Sequence, residues 1–208
     1  MNSLRCCGRA RACLLSAALF ALASTARAQN PGGMDHRHMA GMDMPKVTIP
    51  QGAGFTEADV RFMQGMIAHH AQAIYMSRMA AAHDANAKLR KFAGKIDQSQ
   101  RAEIKLMQDW LRSNSQFAPD TSSWRNMSMP GMLTAEQLAQ LDASKGTDFD
   151  RLFLTFMIQH HQGALKMVKD LFDTPRAGQD VDVSVFANDV TTVQTAEIGT
   201  MYQMLNGL

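Results

Sequence analysis

The sequence predicts an all-α protein, a four-helix bundle made of two duplicated helical hairpins. A helical motif with two adjacent histidines occurs twice, and each copy is followed by a second repeated motif, Gln-x-x-Glu-Ile-x-x-Met. No stretch shows the alternation with period two that is typical of strands. Two copies of a two-helix unit supply the four helices that one bundle needs.

The two histidine motifs span residues 59–76 and 150–167 and align without a gap. Asp, Phe, Met, Ile, two His, Ala and Met recur at matching positions. The second motif recurs at 100–107 and 194–201. A repeat of this length indicates an internal duplication.

Residues 1–28 have the pattern of a secretory signal peptide, with arginines before an apolar run and a small-x-small cleavage pattern. The apolar run, 13–23, is too short to span a bilayer. We therefore expect a periplasmic or secreted protein, cleaved near Ala28 and not attached to a membrane afterwards.

Cleavage would change the composition of the working protein. All three cysteines would leave, so neither a disulfide nor a thiolate ligand is expected. Four arginines and no acidic residues would also leave, which takes the formal net charge from +2 to −2. A basic surface for nucleic acid is therefore not expected. The remaining chain of roughly 180 residues suits a single domain with a core.

Methionine is unusually frequent, with 17 residues in the chain. Residues 29–54 show no helical or strand period, and we interpret them as a disordered arm. Thioether and imidazole groups suit Cu(I) or Ag(I), and imidazole also binds Cu(II) or Zn(II). A linker without function is the alternative. The arm's candidate ligands are Met34, His36, His38, Met39, Met42 and Met44.

The pattern places the bundle at 55–208, with repeat 1 at 55–112, a connection at 113–146 and repeat 2 at 147–206. A short helix is expected at 134–141. Three methionines of the connection either cap the core or bind metal: Met127, Met129 and Met132. The four long helices are predicted from N-cap Thr56 to about His83 or Asp84, from Ala87 to Arg112, from N-cap Thr147 to about Phe172, and from Val181 to Leu205.

A helical wheel puts His70 and His161 at the centre of apolar faces. Glu103 and Glu197 lie within the apolar stripes of the second helices. Buried imidazoles and carboxylates need partners. These four residues therefore form either a structural His–Glu–Gln hydrogen-bond network or a buried metal site.

The other two motif histidines lie at the edge of the same faces, where we expect water to reach them. A methionine precedes each histidine pair by three and four residues, so one ion can touch both kinds of side chain. Further candidates follow at seven-residue spacing in the first copy. The predicted ligands of this group are Met66, His69, Met76, His83, Met157 and His160.

Both copies resemble the secreted family known as domain of unknown function 305, over roughly 55–112 and 147–206. The shared pattern is Asp-x-x-Phe-x-x-x-Met-Ile-x-His-His-x-x-Ala-x-x-Met, then Gln-x-x-Glu-Ile-x-x-Met. The resemblance implies a ferritin-like four-helix bundle. It also implies copper as a candidate ligand, since some members are periplasmic copper-binding proteins. Leu154 stands where the first copy has Met63, which predicts a weaker second site.

We therefore expect a non-enzymatic periplasmic protein that binds copper, with Cu(I) favoured, or silver, and that folds without metal. A delivery partner is left open. A di-iron oxidase would need Glu-x-x-His motifs, and the third residue after each repeated Glu is Leu106 or Thr200 instead. The alternative is a metal-indifferent structural or partner-binding stress protein with a His–Glu core.

Deleting residues 29–45 from the mature chain should lower the Cu(I) or Ag(I) stoichiometry and leave the fold intact. The arm supplies ligands but no helical period, so it should bind without packing. Parallel titrations of the two proteins, with circular dichroism as the control for folding, test this. Equal stoichiometries would remove the arm from the function.

Overall fold

The computed structural model describes residues 45–208. The predicted signal peptide and the six candidate ligands at 34–44 lie outside the described residues. The described part is all-α and contains no strand. Its helices are α1 (Glu57–Met79), α2 (Ala87–Ser113), a short 3-10 helix (Ser123–Asn126), α3 (Ala135–Asp142), α4 (Gly146–Asp173) and α5 (Val181–Leu205).

The first helix begins as the sequence predicts. The Thr56 hydroxyl accepts a hydrogen bond from the backbone N–H of Asp59, and the Asp59 carboxylate accepts from that of Thr56, which completes a capping box. The prediction for Thr147 is wrong. Helix α4 has Lys145 at its N-cap without a side-chain hydrogen bond, because the matching carboxylate, Asp150, bonds to another part of the bundle.

Helix α1 ends at Met79, about one turn before the predicted end. The chain then makes turns through Asp84, whose φ is +53°. The backbone N–H of Gly146 donates to the carbonyl of His83 at 2.8 Å, which fixes the start of α4 beside this turn. His83 therefore lies beyond the helix and not on the helical stripe that seven-residue spacing predicts.

The four long helices run up, down, down and up. Helix α1 packs on α2, α4 packs on α5, and α1 and α4 form the most extensive contact between the hairpins. The indole N–H of Trp110, near the end of α2, donates to Asp180, the N-cap of α5. The long connection between α2 and α4 allows these two helices to be parallel.

The repeated aspartates tie the two hairpins together. Asp59, at the start of α1, accepts a 2.6 Å hydrogen bond from the backbone N–H of Gly178, in the turn between α4 and α5. Asp150, at the start of α4, accepts from the backbone N–H of Asn86, in the turn between α1 and α2, at 3.2 Å. Each hairpin thus caps the turn of the other, and this explains why both copies of the motif begin with Asp.

The connection packs over α1 and also touches α4 near Gly163. The Gln72 side chain exchanges two hydrogen bonds with the backbone of Leu133, at 3.1 and 2.7 Å. Gln64 donates to the carbonyl of Phe117 at 2.8 Å. Met127 and Met129 are buried in the same core cluster as the first half of α1, so they pack in the core.

Replacing Asp150 by Ala should lower the free energy of unfolding by about 2 kcal/mol, because the Asn86 N–H loses a charged acceptor in a part-buried hydrogen bond. Urea denaturation of the metal-free protein measures this. The matched control is Asp173→Ala, which removes an exposed carboxylate near the other end of the same helix and should cost less than about 0.5 kcal/mol. Equal losses in the two variants would contradict the cross-hairpin role.

Candidate metal centre

Four imidazoles meet where α1 crosses α4. His69 and His160 stack on each other with ring centroids 3.8 Å apart and planes inclined by 39°. His70 and His161 lie beside them, each about one ring further out, at centroid distances of 6.4 and 6.3 Å from their sequence neighbours. All four side chains are fully buried. The duplication therefore places the two motifs against each other as one central cluster.

The outer imidazoles are paired with the repeated glutamates. The Nε2 atom of His70 lies 2.6 Å from a carboxylate oxygen of Glu103, and that of His161 lies 2.7 Å from Glu197. These are the pairings that the helical wheel predicts. Because the glutamate side chains are 26% and 17% exposed, they lie between the buried rings and solvent.

The position of the inner imidazoles differs from the sequence prediction. His69 and His160 were expected at a wet edge, yet both are fully buried. The connection covers them: the Nε2 atom of His69 donates to the carbonyl of Pro130 at 3.1 Å. A Cβ on Gly163 of α4 would lie 1.9 Å from the same carbonyl oxygen, so only glycine lets the connection approach this closely.

Burial controls the ionisation of the inner rings. It lowers the pKa of His69 to about 3, with the charge of His70 acting in the same direction and the Pro130 carbonyl opposing it. Burial also holds the pKa of His160 well below its ordinary value, and the charge of His69 is the next largest cause. Burial alone would raise the pKa of Glu103, but the hydrogen bond from His70 and the imidazole charge outweigh it, so this pKa is lowered.

One ring nitrogen of each buried imidazole is available to a ligand. A carbonyl oxygen only accepts hydrogen bonds, so neutral His69 carries its proton on Nε2 and a lone pair on Nδ1. His70 and His161 face Glu103 and Glu197 through Nε2, so Nδ1 is the other ring nitrogen of each. These Nδ1 atoms, and both ring nitrogens of His160, are buried and form no hydrogen bond within residues 45–208.

The remaining candidates are buried in different settings. Met66, Met76 and Met157 are buried completely. His83 lies apart from the cluster, against Phe149, with Nδ1 bonded to the Met79 carbonyl and Nε2 to Asp142. Both of its ring nitrogens therefore face oxygen acceptors and not the other imidazoles. Within the described part, no three His, Cys, Asp or Glu side chains converge to hold a metal ion. A metal site here would need methionine sulfur or a shift of the rings.

Sequence reasoning missed the part that the connection plays in this centre. The carbonyl of Pro130 orients His69, and the backbone at Gly131 lies against Gly163. The signal that could have found it is the Pro-Gly pair inside the methionine cluster of the connection. Helical periodicity cannot locate such a segment, because the segment has no period.

Residues 59–205 match the family described as Domain of unknown function (DUF305). The chain belongs to this family. Its fold is similar to that of a DUF305 fragment from Deinococcus radiodurans, with 29% identity and a TM-score of 0.64 over 74% of this chain and 99% of the other. A DUF305 protein from Streptomyces coelicolor, described as a candidate secreted protein, is 27% identical with a TM-score of 0.62, over 72% and 93%.

A protein called CopM has the same fold in a Cu(I)-bound form, with 29% identity and a TM-score of 0.55 over 72% of this chain and 96% of CopM. CopM has also been solved with Ag and with Cu(II) bound. Among proteins with curated descriptions, none matches the sequence. No helix in residues 45–208 has the length and hydropathy to span a membrane.

The metal-free protein should lose stability as the pH falls from 7 to 5. Folded His69, with a pKa of about 3, stays neutral, whereas in the unfolded chain it gains a proton near its ordinary pKa. The contribution of His69 to the free energy of unfolding is thus present above pH 6.5 and is lost as the pH falls towards 3. The loss between pH 7 and pH 5 is about 2 kcal/mol.

Urea denaturation at several pH values, for the intact protein and for His69→Leu, isolates this contribution. The variant should be less stable at pH 7 but should show a shallower decline towards pH 5. Parallel declines in both proteins would contradict the depressed pKa of His69.

Proposed function

We propose that this protein is a non-enzymatic, exported metal-binding protein that takes up copper as Cu(I), or silver, through histidine and methionine side chains. The observation that carries the proposal is the set of buried imidazoles whose Nδ1 atoms have no hydrogen-bond partner in the described part of the chain. A buried polar atom without a partner is costly. A soft cation would satisfy several of these atoms at once.

The orientation of the rings supports this use. In metal sites, an imidazole that binds the metal through one nitrogen usually donates its other N–H to a carboxylate or a carbonyl. His70 and His161 have this relation to Glu103 and Glu197, and His69 has it to the Pro130 carbonyl. The low pKa of His69 keeps the ring neutral at physiological pH, which a ligand requires.

The cargo follows from the donor set. Imidazole nitrogen and thioether sulfur suit Cu(I) or Ag(I) better than hard cations that prefer oxygen. Met66 precedes His69 and His70 by one helical turn, and Met157 has the same place before His160 and His161. The metal-bound forms of CopM support the choice of copper or silver. Residues 1–28 support export.

Uptake into this centre requires a local opening. The four imidazoles are sealed, and the two glutamates are the members of the cluster that reach solvent. An ion arriving from solvent would first meet Glu103 or Glu197, or would have to displace the connection near Pro130. Such openings belong to the low-energy fluctuations of a folded protein.

A structural role for the same cluster is the alternative, in a metal-indifferent bundle. The short His–Glu pairs favour it, because they satisfy one nitrogen of each outer ring and fix the helix register. The lack of three converging His, Cys, Asp or Glu groups in residues 45–208 favours it as well. The two functions differ in whether the bundle without its arm binds Cu(I).

The mature protein lacking residues 29–45 should bind Cu(I) in competition with a chromogenic chelator. His69→Leu should weaken this binding by about tenfold or more, or ~1.4 kcal/mol, since a ligand nitrogen is lost. His83→Gln is the matched control: it also removes a buried imidazole, but one that lies apart from the cluster, against Phe149, so the affinity should not change.

Circular dichroism of each metal-free variant shows whether it has folded. If the folded arm-deleted protein takes up no Cu(I), the bundle is not a metal site, and any uptake by the full-length protein belongs to the arm. Equal Cu(I) affinities of the arm-deleted protein and its His69→Leu variant would show that the central cluster does not bind the metal.

A further inference from the structure

A pocket lies on the face formed by α1, α2 and the first part of the connection, with a volume of about 370 Å³. Three arginines line it: Arg78 of α1, Arg101 of α2 and Arg125 of the 3-10 helix. Tyr75 and Trp124 form an aromatic wall. The remaining lining residues are the apolar Ala71 and Ile74 and the hydroxyl-bearing Thr121 and Ser122.

The charges of this pocket are unbalanced. One carboxylate, Asp97, lies between two of the arginines, 2.9 Å from Nε of Arg78 and 3.4 Å from Nε of Arg101. It engages the Nε atoms and leaves the terminal nitrogens of both guanidinium groups available. Arg125 forms no ion pair within residues 45–208. Three positive charges and one negative charge therefore meet in a protein whose expected mature net charge is negative.

The aromatic wall holds the third arginine in place. The rings of Tyr75 and Trp124 lie 5.1 Å apart with planes inclined by 36°. The guanidinium of Arg125 lies 4.9 Å from the centroid of the Trp124 ring, in a cation–π contact. This stacking orients the guanidinium before any ligand arrives, which lowers the entropic cost of binding.

We propose that this pocket binds a small organic anion that carries carboxylate or phosphate groups on a planar ring. Guanidinium groups match carboxylate and phosphate oxygens with paired hydrogen bonds. The Tyr75 side chain is 39% exposed and offers a ring on which a planar group stacks, and the pocket volume falls in the range of small-molecule sites. A net positive pocket repels metal cations, so this site is separate from the histidine cluster.

Titration with phthalate, an aromatic dianion, tests the proposal through the fluorescence of Trp124. The chain has two tryptophans, and Trp110→Phe leaves Trp124 as the only one. Calorimetry on the unmodified metal-free chain repeats the titration without that substitution. We expect saturable binding with a dissociation constant below about 1 mM, and roughly tenfold weaker binding of succinate, which lacks the ring, and of uncharged benzamide.

Arg125→Gln and Arg101→Gln should each weaken phthalate binding by about fivefold or more. The matched control is Arg151→Gln, which removes an exposed arginine of α4 that does not line the pocket and should have no effect. Absence of saturable binding, or equal losses in all three variants, would overturn the site. Succinate binding as tightly as phthalate would overturn its selectivity for a planar ligand.

Discussion

The stacking of His69 on His160 is the contact on which the rest of the structure depends. It joins the two hairpins at the middle of the bundle and buries two polar rings where most bundles place apolar side chains. Burial of an imidazole is costly unless its nitrogens find partners. Much of the surrounding architecture supplies these partners: Glu103 and Glu197 pair with the outer rings, and the carbonyl of Pro130 accepts from His69.

The connection between the hairpins is therefore a part of the core. Its methionines pack beside α1, its backbone bonds to Gln72, and its closest approach to α4 depends on Gly163. At the ends of the bundle, Asp59 and Asp150 each cap the turn of the opposite hairpin. The central stack and the two end clamps fix the hairpins at three levels, and this rigidity keeps the imidazoles buried together.

Stability and the proposed metal uptake depend on the same atoms. The unpartnered Nδ1 atoms lower the free energy of unfolding of the metal-free protein. A soft cation bound to them would stabilise the folded state. The glutamates that orient His70 and His161 also separate them from solvent. The arginine pocket differs from this centre in charge and exposure, so the protein has an exposed cationic pocket as well as a buried histidine cluster.

The sequence by itself determined the all-α class, the duplication, most of the helix boundaries and the pairing of His70 with Glu103, because these follow from local periodicity and from spacing within one hairpin. Only the tertiary structure decided that His69 is buried, that Asp150 caps a distant turn instead of its own helix, and that the connection seals the cluster. A helical wheel shows which residues share a face. It cannot show that an aperiodic segment covers a given residue of the helix. Pro130 is more than sixty positions from His69 in the sequence, and their contact depends on how the two hairpins and their connection pack.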